Sequence, residues 1–222
     1  LLNRVDGPFS NPNALHSLGQ QINQSIEKCR SYICENLFLE SEKDRLIFTS
    51  GSSESISTAF WMSIGANILS KKSKKMRIIC STIEHACVIE SAKFWEKRGA
   101  IIHWVNCNAD GIIETSQVKN LLTSLHNEIA HVAIMAANNE TGAIQSFEEI
   151  AELCYQHNVY YLCDTTQIIG KIKISKELLH GSFLCCSSHK LGAPLGSGFL
   201  FLPHKENFHP LIHGGGQEKS LR

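Results

Sequence analysis

"SFLCCSSHK", residues 182–190, carries an apolar run directly into a cluster of chemically capable side chains. The run from Phe183 to Cys186 has the composition of a buried β-strand. Ser187, His189 and Lys190 follow it, and the glycine- and proline-containing stretch "LGAPLG" comes next. A lysine that closes a buried strand, with no acidic residue near it in sequence, is unusual because burial disfavours the ammonium charge. A nucleophilic role would explain Lys190.

The same pattern recurs along the chain. Apolar segments that end on polar residues are predicted to be strands at 45–51, 76–86, 100–106, 131–144 and 159–167. Segments with helical spacing separate them, and an amphipathic helix is predicted from Leu15 to Leu37. Near-continuous apolar strands that alternate with helices predict an α/β fold, a three-layer sandwich with a mostly parallel sheet covered on both faces.

The carboxyl ends of these strands are the predicted functional region, since ligands of such sheets bind there. Polar residues concentrate at the strand ends, namely Ser53, His85, Asn139, Asp164, Gln167, Ser187, His189 and Lys190. One site assembled from several strand ends is therefore predicted.

Composition excludes several other classes of protein. The 222 residues include 21 basic and 21 acidic residues, so no broad electropositive face indicates nucleic acid or anionic lipid. No apolar stretch reaches the roughly 18 residues of a membrane span. The nine cysteines are odd in number and form no C-x-x-C pair, which favours reduced thiols in the cytoplasm or an organelle matrix.

The strand-end residues each permit a functional and a structural interpretation. Ser52 and Ser53 follow Gly51 at the start of a predicted helix, where they could bind an anion or serve only as an N-cap. Asp164 could pair with a protonated ring nitrogen, a metal or an arginine, or could cap a helix. His85 could stack on a flat ligand or transfer protons, or could cap the helix that follows it.

Taken together, these features describe a pocket for pyridoxal 5'-phosphate. The phosphate would bind at the helix start, the pyridinium nitrogen at Asp164 and the aldehyde carbon at Lys190, because a partly desolvated lysine forms Schiff bases with aldehydes. A zinc site at His204, His209 and His213 is a weaker alternative, since no cysteine stands at ligand spacing from them. No metal is therefore predicted.

Seven stretches, several of them in the expected order and at the expected spacing, closely resemble the cysteine desulfurases, class V aminotransferase-like enzymes of pyridoxal phosphate fold-type I. They are "NPNALHSLGQ", "IFTSGSSES", "IEHACVIE", "NNETGAIQ", "DTTQIIGKI", "SSHKLGAPLGSG" and "HGGGQEKSLR". The resemblance implies the large cofactor-binding domain of the aspartate aminotransferase-like fold at 15–210. Residues 1–14 would be the remnant of an N-terminal arm, and 211–222 would lead to a dimer contact and a C-terminal small domain.

The resemblance also implies roles for the site residues. Lys190 would carry the cofactor, Asp164 would pair with its ring nitrogen, and His85 would stack on the ring and assist proton transfer. Asn139 and Gln167 would flank the ring, while the phosphate would be held by Ser52, Ser53, Ser187 and His189. The implied enzyme is a homodimer that converts L-cysteine to L-alanine and passes persulfide sulfur to an acceptor or iron–sulfur scaffold protein.

Five positions depart from the family pattern, namely Ser52, Ser53, Thr165, Ser188 and Leu195, and Thr165 is expected to add bulk near the ring. The family's sulfur-accepting cysteine and substrate-binding arginine would lie beyond residue 222, so the chain is expected to be a fragment truncated at both ends and inactive alone. Cys185 and Cys186 are expected to be core residues.

The alternatives are a selenocysteine lyase, a kynureninase-like hydrolase or an aminotransferase of the same fold, and a catalytically silent subunit.

Overall fold

The apolar segments form a seven-stranded sheet in the computed structural model, which describes residues 10–37, 45–65, 76–175, 177–179, 181–203 and 208–222. The strands are β1 (Leu46–Thr49), β2 (Arg77–Ser81), β3 (Ile101–Val105), β4 (Ile129–Ala133), β5 (Tyr160–Asp164), β6 (Ser182–Ser187) and β7 (Gly198–Phe201). Their order across the sheet is β1-β7-β6-β5-β4-β2-β3. Only β7 runs against its neighbours, β1 and β6, so the other six strands share one direction.

Helices follow the strands as the spacing predicts. They are α1 (Ser17–Leu37), α2 (Ser52–Phe60), α3 (Ala86–Glu96), α4 (Thr115–Ser124), α5 (Phe147–Gln156) and the short α6 (Gln217–Ser220). A π-helical turn, Trp61–Gly65, extends α2, and 3₁₀ turns occupy Glu177–Leu179 and Ser188–Leu191. The chain divides into two compact units, Leu1–Asp44, which contains α1, and Arg45–Arg222, which contains the sheet.

Two features of the sheet differ from the sequence-based prediction. The strand β7 was not predicted, because its four residues, "GFLF", are too few to stand out beside the glycine-rich stretch before them. Several predicted strands end early: among them, β2 stops at Ser81, β4 stops at Ala133 and β6 stops at Ser187. The side chains expected at their ends therefore lie on the turns that follow.

The core lies between the sheet and the helices that cover it. One large apolar cluster joins α2 and α3 to the central strands, and includes Ile56, Phe60, Val88, Trp95, Phe183 and Leu200. A polar pair is buried with it: Ser63 Oγ lies 2.6 Å from His131 Nδ1. Burial lowers the pKa of His131 to about 3, so its imidazole is neutral.

Gly198 fixes the first turn of α2 against the sheet. A Cβ at this position would stand 2.4 Å from the carbonyl oxygen of Cys186 and 2.7 Å from the Cα of Gly51. Only a glycine permits this approach. The close contact sets the start of α2 directly beside the end of β6.

No described helix is long and apolar enough to cross a membrane. No group of three or more His, Cys, Asp or Glu side chains in the described ranges could hold a metal ion. Of the three histidines of the alternative zinc site, His204 lies outside the described residues.

Candidate active site

All nine residues predicted for the site line one cavity of about 160 Å³. They are Ser52, Ser53, His85, Asn139, Asp164, Gln167, Ser187, His189 and Lys190. The cavity lies at the carboxyl ends of β1, β2, β4, β5 and β6, which all point to the same edge of the sheet. The topology therefore brings together side chains that are up to 138 positions apart in the sequence, from 52 to 190.

Hydroxyl groups cluster at the start of α2. The backbone N–H of Ser52 donates to Ser187 Oγ at 2.7 Å, and Ser187 Oγ donates to Ser52 Oγ at 2.9 Å. Ser52 Oγ also lies 2.7 Å from Thr166 Oγ1. The N-cap is Gly51, without a side-chain capping bond, so the alternative that Ser52 or Ser53 serves only as the N-cap is wrong. A helix N-terminus surrounded by hydroxyls suits a phosphate group.

Asp164 ends β5 and is only 8% exposed. Its Oδ1 accepts a hydrogen bond from the backbone N–H of Thr166 at 3.0 Å, a local turn that orients the carboxyl group at the cavity wall. No salt bridge to Asp164 occurs among the described residues. A buried carboxylate of this kind can stabilise a cationic nitrogen brought in by a ligand.

His85 is both a cavity residue and the N-cap of α3. Its Nδ1 accepts from the backbone N–H of Cys87 at 3.3 Å, and the Cys87 thiol lies 2.9 Å from the same nitrogen. The backbone N–H can only donate, so Nδ1 is unprotonated and Nε2 is the nitrogen that carries the proton. The capping interpretation is thus confirmed, and it leaves Nε2 available for a ligand.

The position of Lys190 corrects one expectation. The lysine does not close the strand: it lies in the 3₁₀ turn Ser188–Leu191, three residues past the end of β6, and its side chain is exposed. The expectation that the Lys190 amine is partly desolvated is therefore wrong. The amine nevertheless lines the same cavity as Asp164.

Thr165 and Ser188, two of the departures from the family pattern, form internal hydrogen bonds. Thr165 is 0% exposed, and its Oγ1 donates to the carbonyl oxygen of Cys185 at 2.8 Å. It does not line the cavity, so the expected bulk near the ring is wrong. Ser188 Oγ donates to the carbonyl oxygens of Ser197 and Pro194, at 2.7 and 2.9 Å, and so closes the loop after Lys190.

Sequence reasoning missed four cavity residues, Cys87, Met135, Ala137 and Thr166. Thr166 could have been found from its place between Asp164 and Gln167. Met135 and Ala137 lie in the apolar run after β4, where no polar signal marks them.

Glu84, which precedes His85, is a buried carboxyl group just outside the cavity lining. It is 7% exposed, and its Oε1 accepts from the backbone N–H of Met135 at 2.8 Å and from the Ser81 hydroxyl. Burial raises the pKa of Glu84 to about 8, and the nearby charge of Asp164 also raises it. At neutral pH Glu84 is thus mostly the uncharged acid.

The cysteines are all free, as expected. Cys185 and Cys186 are fully buried in β6, which confirms them as core residues. Burial raises the pKa of the Cys186 thiol to about 12, and raises that of the Cys185 thiol as well. Neither is suited to act as a nucleophile, because the thiolate is the reactive form.

A second cavity, of about 530 Å³, adjoins the first and shares Ser53 and Cys87 with it. It is lined largely by apolar atoms of α2, of the π-helical turn after it and of α3, including Trp61, Phe94 and Trp95. Although it is larger, it holds no further predicted site residue. The smaller cavity carries the convergent polar groups that a catalytic site needs.

Comparison with known proteins decides the family. Residues 7–222 match the family described as aminotransferase class-V. This chain belongs to that family. Among its relatives, the IscS cysteine desulfurase of Clostridium botulinum is 34% identical over 214 residues, which cover 96% of this chain and 52% of the relative. The mitosomal cysteine desulfurase of Trachipleistophora hominis is 32% identical over 217 residues, which cover 96% and 48%.

Solved structures share the fold of this class V chain. The structure titled "SspA in complex with cysteine" has a TM-score of 0.88 and 29% sequence identity, covering 98% of this chain and 60% of that one. The α/β fold predicted from the sequence is confirmed. The chain spans about half the length of the curated relatives named above.

Class V aminotransferases depend on pyridoxal phosphate, and the cavity fits this cofactor. Hydroxyls and a helix start suit its phosphate, the buried carboxylate of Asp164 suits its ring nitrogen, and the amine of Lys190 suits its aldehyde. Gly51 suits the start of α2 because its φ of +150° would strain any other residue, and a Cβ there would lie 3.2 Å from Ser187 Oγ. The donor set thus matches each functional group of the cofactor.

Proposed function

We propose that the complete protein is a pyridoxal phosphate-dependent cysteine desulfurase, which converts L-cysteine to L-alanine and transfers persulfide sulfur to an acceptor. The observation that carries the proposal is the single cavity in which Lys190, Asp164 and the hydroxyls at the start of α2 converge. The names of the relatives, all cysteine desulfurases, support the substrate, as does a structural neighbour solved with cysteine.

The side chains of the cavity have distinct proposed roles. Ser52, Ser53, Ser187 and His189 hold the phosphate, and Asn139 and Gln167 flank the ring. The carboxyl group of Asp164 would hold the ring nitrogen and favour its protonated form. When bound, pyridoxal phosphate supplies an electron sink for a substrate carbanion.

Proton transfer is assigned to two groups. The Lys190 amine would hold the cofactor at its aldehyde carbon, and it would accept and return a proton when it is free. His85 exchanges a proton at Nε2, because Nδ1 is engaged by the α3 cap. Both groups are exposed to the cavity side of their turns, where a substrate can reach them.

The proposal extends to partners and compartment. We expect a homodimer and a sulfur-acceptor or iron–sulfur scaffold protein as the recipient of the persulfide, with no requirement for nucleic acid or membrane. The nine free cysteines support a reducing compartment, either cytoplasm or an organelle matrix. The mitosomal name of one relative is compatible with an organelle.

Lys190→Ala in the complete protein tests the proposal. Wild type should be yellow, should be trapped covalently at residue 190 by borohydride, and should form alanine from L-cysteine, while Lys190→Ala should do none of these. Lys119→Ala, which removes an exposed lysine on α4, is the matched control and should behave as wild type. A wild type that stays colourless after incubation with the cofactor, or a Lys190→Ala protein that is still trapped, would refute the proposal.

A further inference from the structure

The turn between β2 and α3 is attached to the chain that follows β4 by side-chain hydrogen bonds. The Glu84 carboxyl accepts from the backbone N–H of Met135 at 2.8 Å, across 51 positions of sequence. In parallel, Asn138 Nδ2 donates to the carbonyl oxygen of Ile83 at 3.0 Å. Two walls of the cavity meet here, one bearing His85 and the other bearing Met135.

We propose that Glu84 is a positioning residue of the active site, whose carboxyl group fixes the His85 turn against the Met135 segment. Glu84 itself does not line the cavity, whereas His85, Met135, Ala137 and Asn139 do. It therefore acts through the residues that it joins. If this cavity wall is already held in place, less conformational entropy is lost when the cofactor binds.

The surroundings of Glu84 explain why a carboxyl group is present in its uncharged form. The titratable groups that interact with it are Cys80 of β2 and Tyr161, Cys163 and Asp164 of β5, and none is a cation. Its hydrogen-bond donors, the Met135 amide and the Ser81 hydroxyl, are also neutral. Burial and the proximity of Asp164 disfavour a charge on Glu84, so its carboxyl group accepts the two hydrogen bonds as the uncharged acid.

Glutamine can replace this uncharged acid, since its amide oxygen occupies the place of Oε1 and its volume is nearly the same. Leucine cannot accept either hydrogen bond and leaves the Met135 N–H buried without a partner. Aspartate keeps the carboxyl group, but its side chain is shorter by one methylene. The three variants therefore separate loss of the hydrogen bonds from loss of the carboxyl group.

The first measurement is amide hydrogen exchange at Met135 and in the His85 turn, on the complete protein without cofactor. Glu84→Leu should accelerate exchange about tenfold, the factor expected for one lost hydrogen bond, and Glu84→Gln should exchange no more than about threefold faster than wild type. If Glu84→Leu does not fold, Glu84→Asp provides the test, with an expected acceleration of about threefold or more. Ser63→Ala, which breaks the buried pair with His131, is the control for a general loss of stability.

The second measurement is the dissociation constant of pyridoxal phosphate for the same proteins, and only this part rests on the proposed function. Glu84→Leu should weaken binding about tenfold, Glu84→Gln should restore it, and Ser63→Ala at an equal loss of Tm should leave it unchanged. The inference is overturned if Glu84→Gln accelerates exchange and weakens cofactor binding as much as Glu84→Leu does. It is also overturned if Glu84→Leu changes neither the exchange rate nor the dissociation constant more than Ser63→Ala does. A wild type that binds no cofactor would refute the proposed function, while the exchange rates would still decide whether Glu84 joins the two walls.

Discussion

The stability of the protein should depend on the proton that Glu84 holds. Burial raises the pKa of this carboxyl from 4.5 to about 8. Between those values the folded protein keeps a proton that the unfolded chain has lost, so the unfolded state binds fewer protons and the free energy of unfolding falls as the pH rises. Glu84→Gln removes this dependence, because the amide does not ionise.

The magnitude follows from the raised pKa. At about 1.36 kcal/mol per pH unit, the full linkage amounts to about 5 kcal/mol well above pH 8. Most of this linkage develops between pH 5 and pH 8. Over that range the free energy of unfolding of Glu84→Gln should rise by about 3 to 4 kcal/mol relative to that of wild type. At pH 5 this linkage should make the free energies of unfolding of the two proteins differ by about 1 kcal/mol or less.

Urea denaturation at pH 5, 6, 7 and 8 measures this difference. Every other titrating group is shared by the two proteins, so its contribution cancels in the comparison. Glu149→Gln, which removes an exposed carboxyl group from the first turn of α5, is the matched control. A Glu84→Gln difference that changes by less than about 1 kcal/mol from pH 5 to pH 8 would refute the reasoning, since Glu84 would then ionise in the folded protein much as it does in the unfolded chain.

Two further predictions concern packing and thiol reactivity. Gly198→Ala should lower stability by about 3 kcal/mol, seen as a reduced Tm, because its Cβ would stand 2.4 Å from the Cys186 carbonyl oxygen; an unchanged Tm would contradict the close approach. Iodoacetamide at neutral pH should modify exposed Cys29 in the native protein but reach Cys154 and Cys185 only after denaturation, because burial both hides these two thiols and raises their pKa. Peptide mass spectrometry measures the labelling of the native and the denatured protein. Labelling of Cys185 in the native protein at the rate of Cys29 would contradict the prediction.

Much of the site follows from local sequence patterns. Asp164 and Ser187 each end an apolar run, and parallel strands present their carboxyl ends at one edge, so their meeting could be predicted without coordinates. The helix start at Ser52 follows from the glycine before it. These inferences need only the period of the apolar residues and the direction of the strands.

Other features depend on contacts that are remote in sequence. Lys190 leaves the strand early because Ser188 bonds to carbonyl groups six and nine residues later, which no local propensity reveals. The raised pKa of Glu84 arises from burial under neighbours from other strands. The short strand β7 is stabilised by pairing on both sides rather than by its own four residues.

The position of β7 between β1 and β6 also constrains the order of events during synthesis. Within the described sheet β1 has one neighbour, β7, which leaves the ribosome about 150 residues later. At the usual rates of translation, β1 waits roughly 8 to 30 seconds for its partner. Until then an apolar edge stays open to unwanted pairing, so a chaperone that shields the nascent chain would protect the first strand until the seventh has been made.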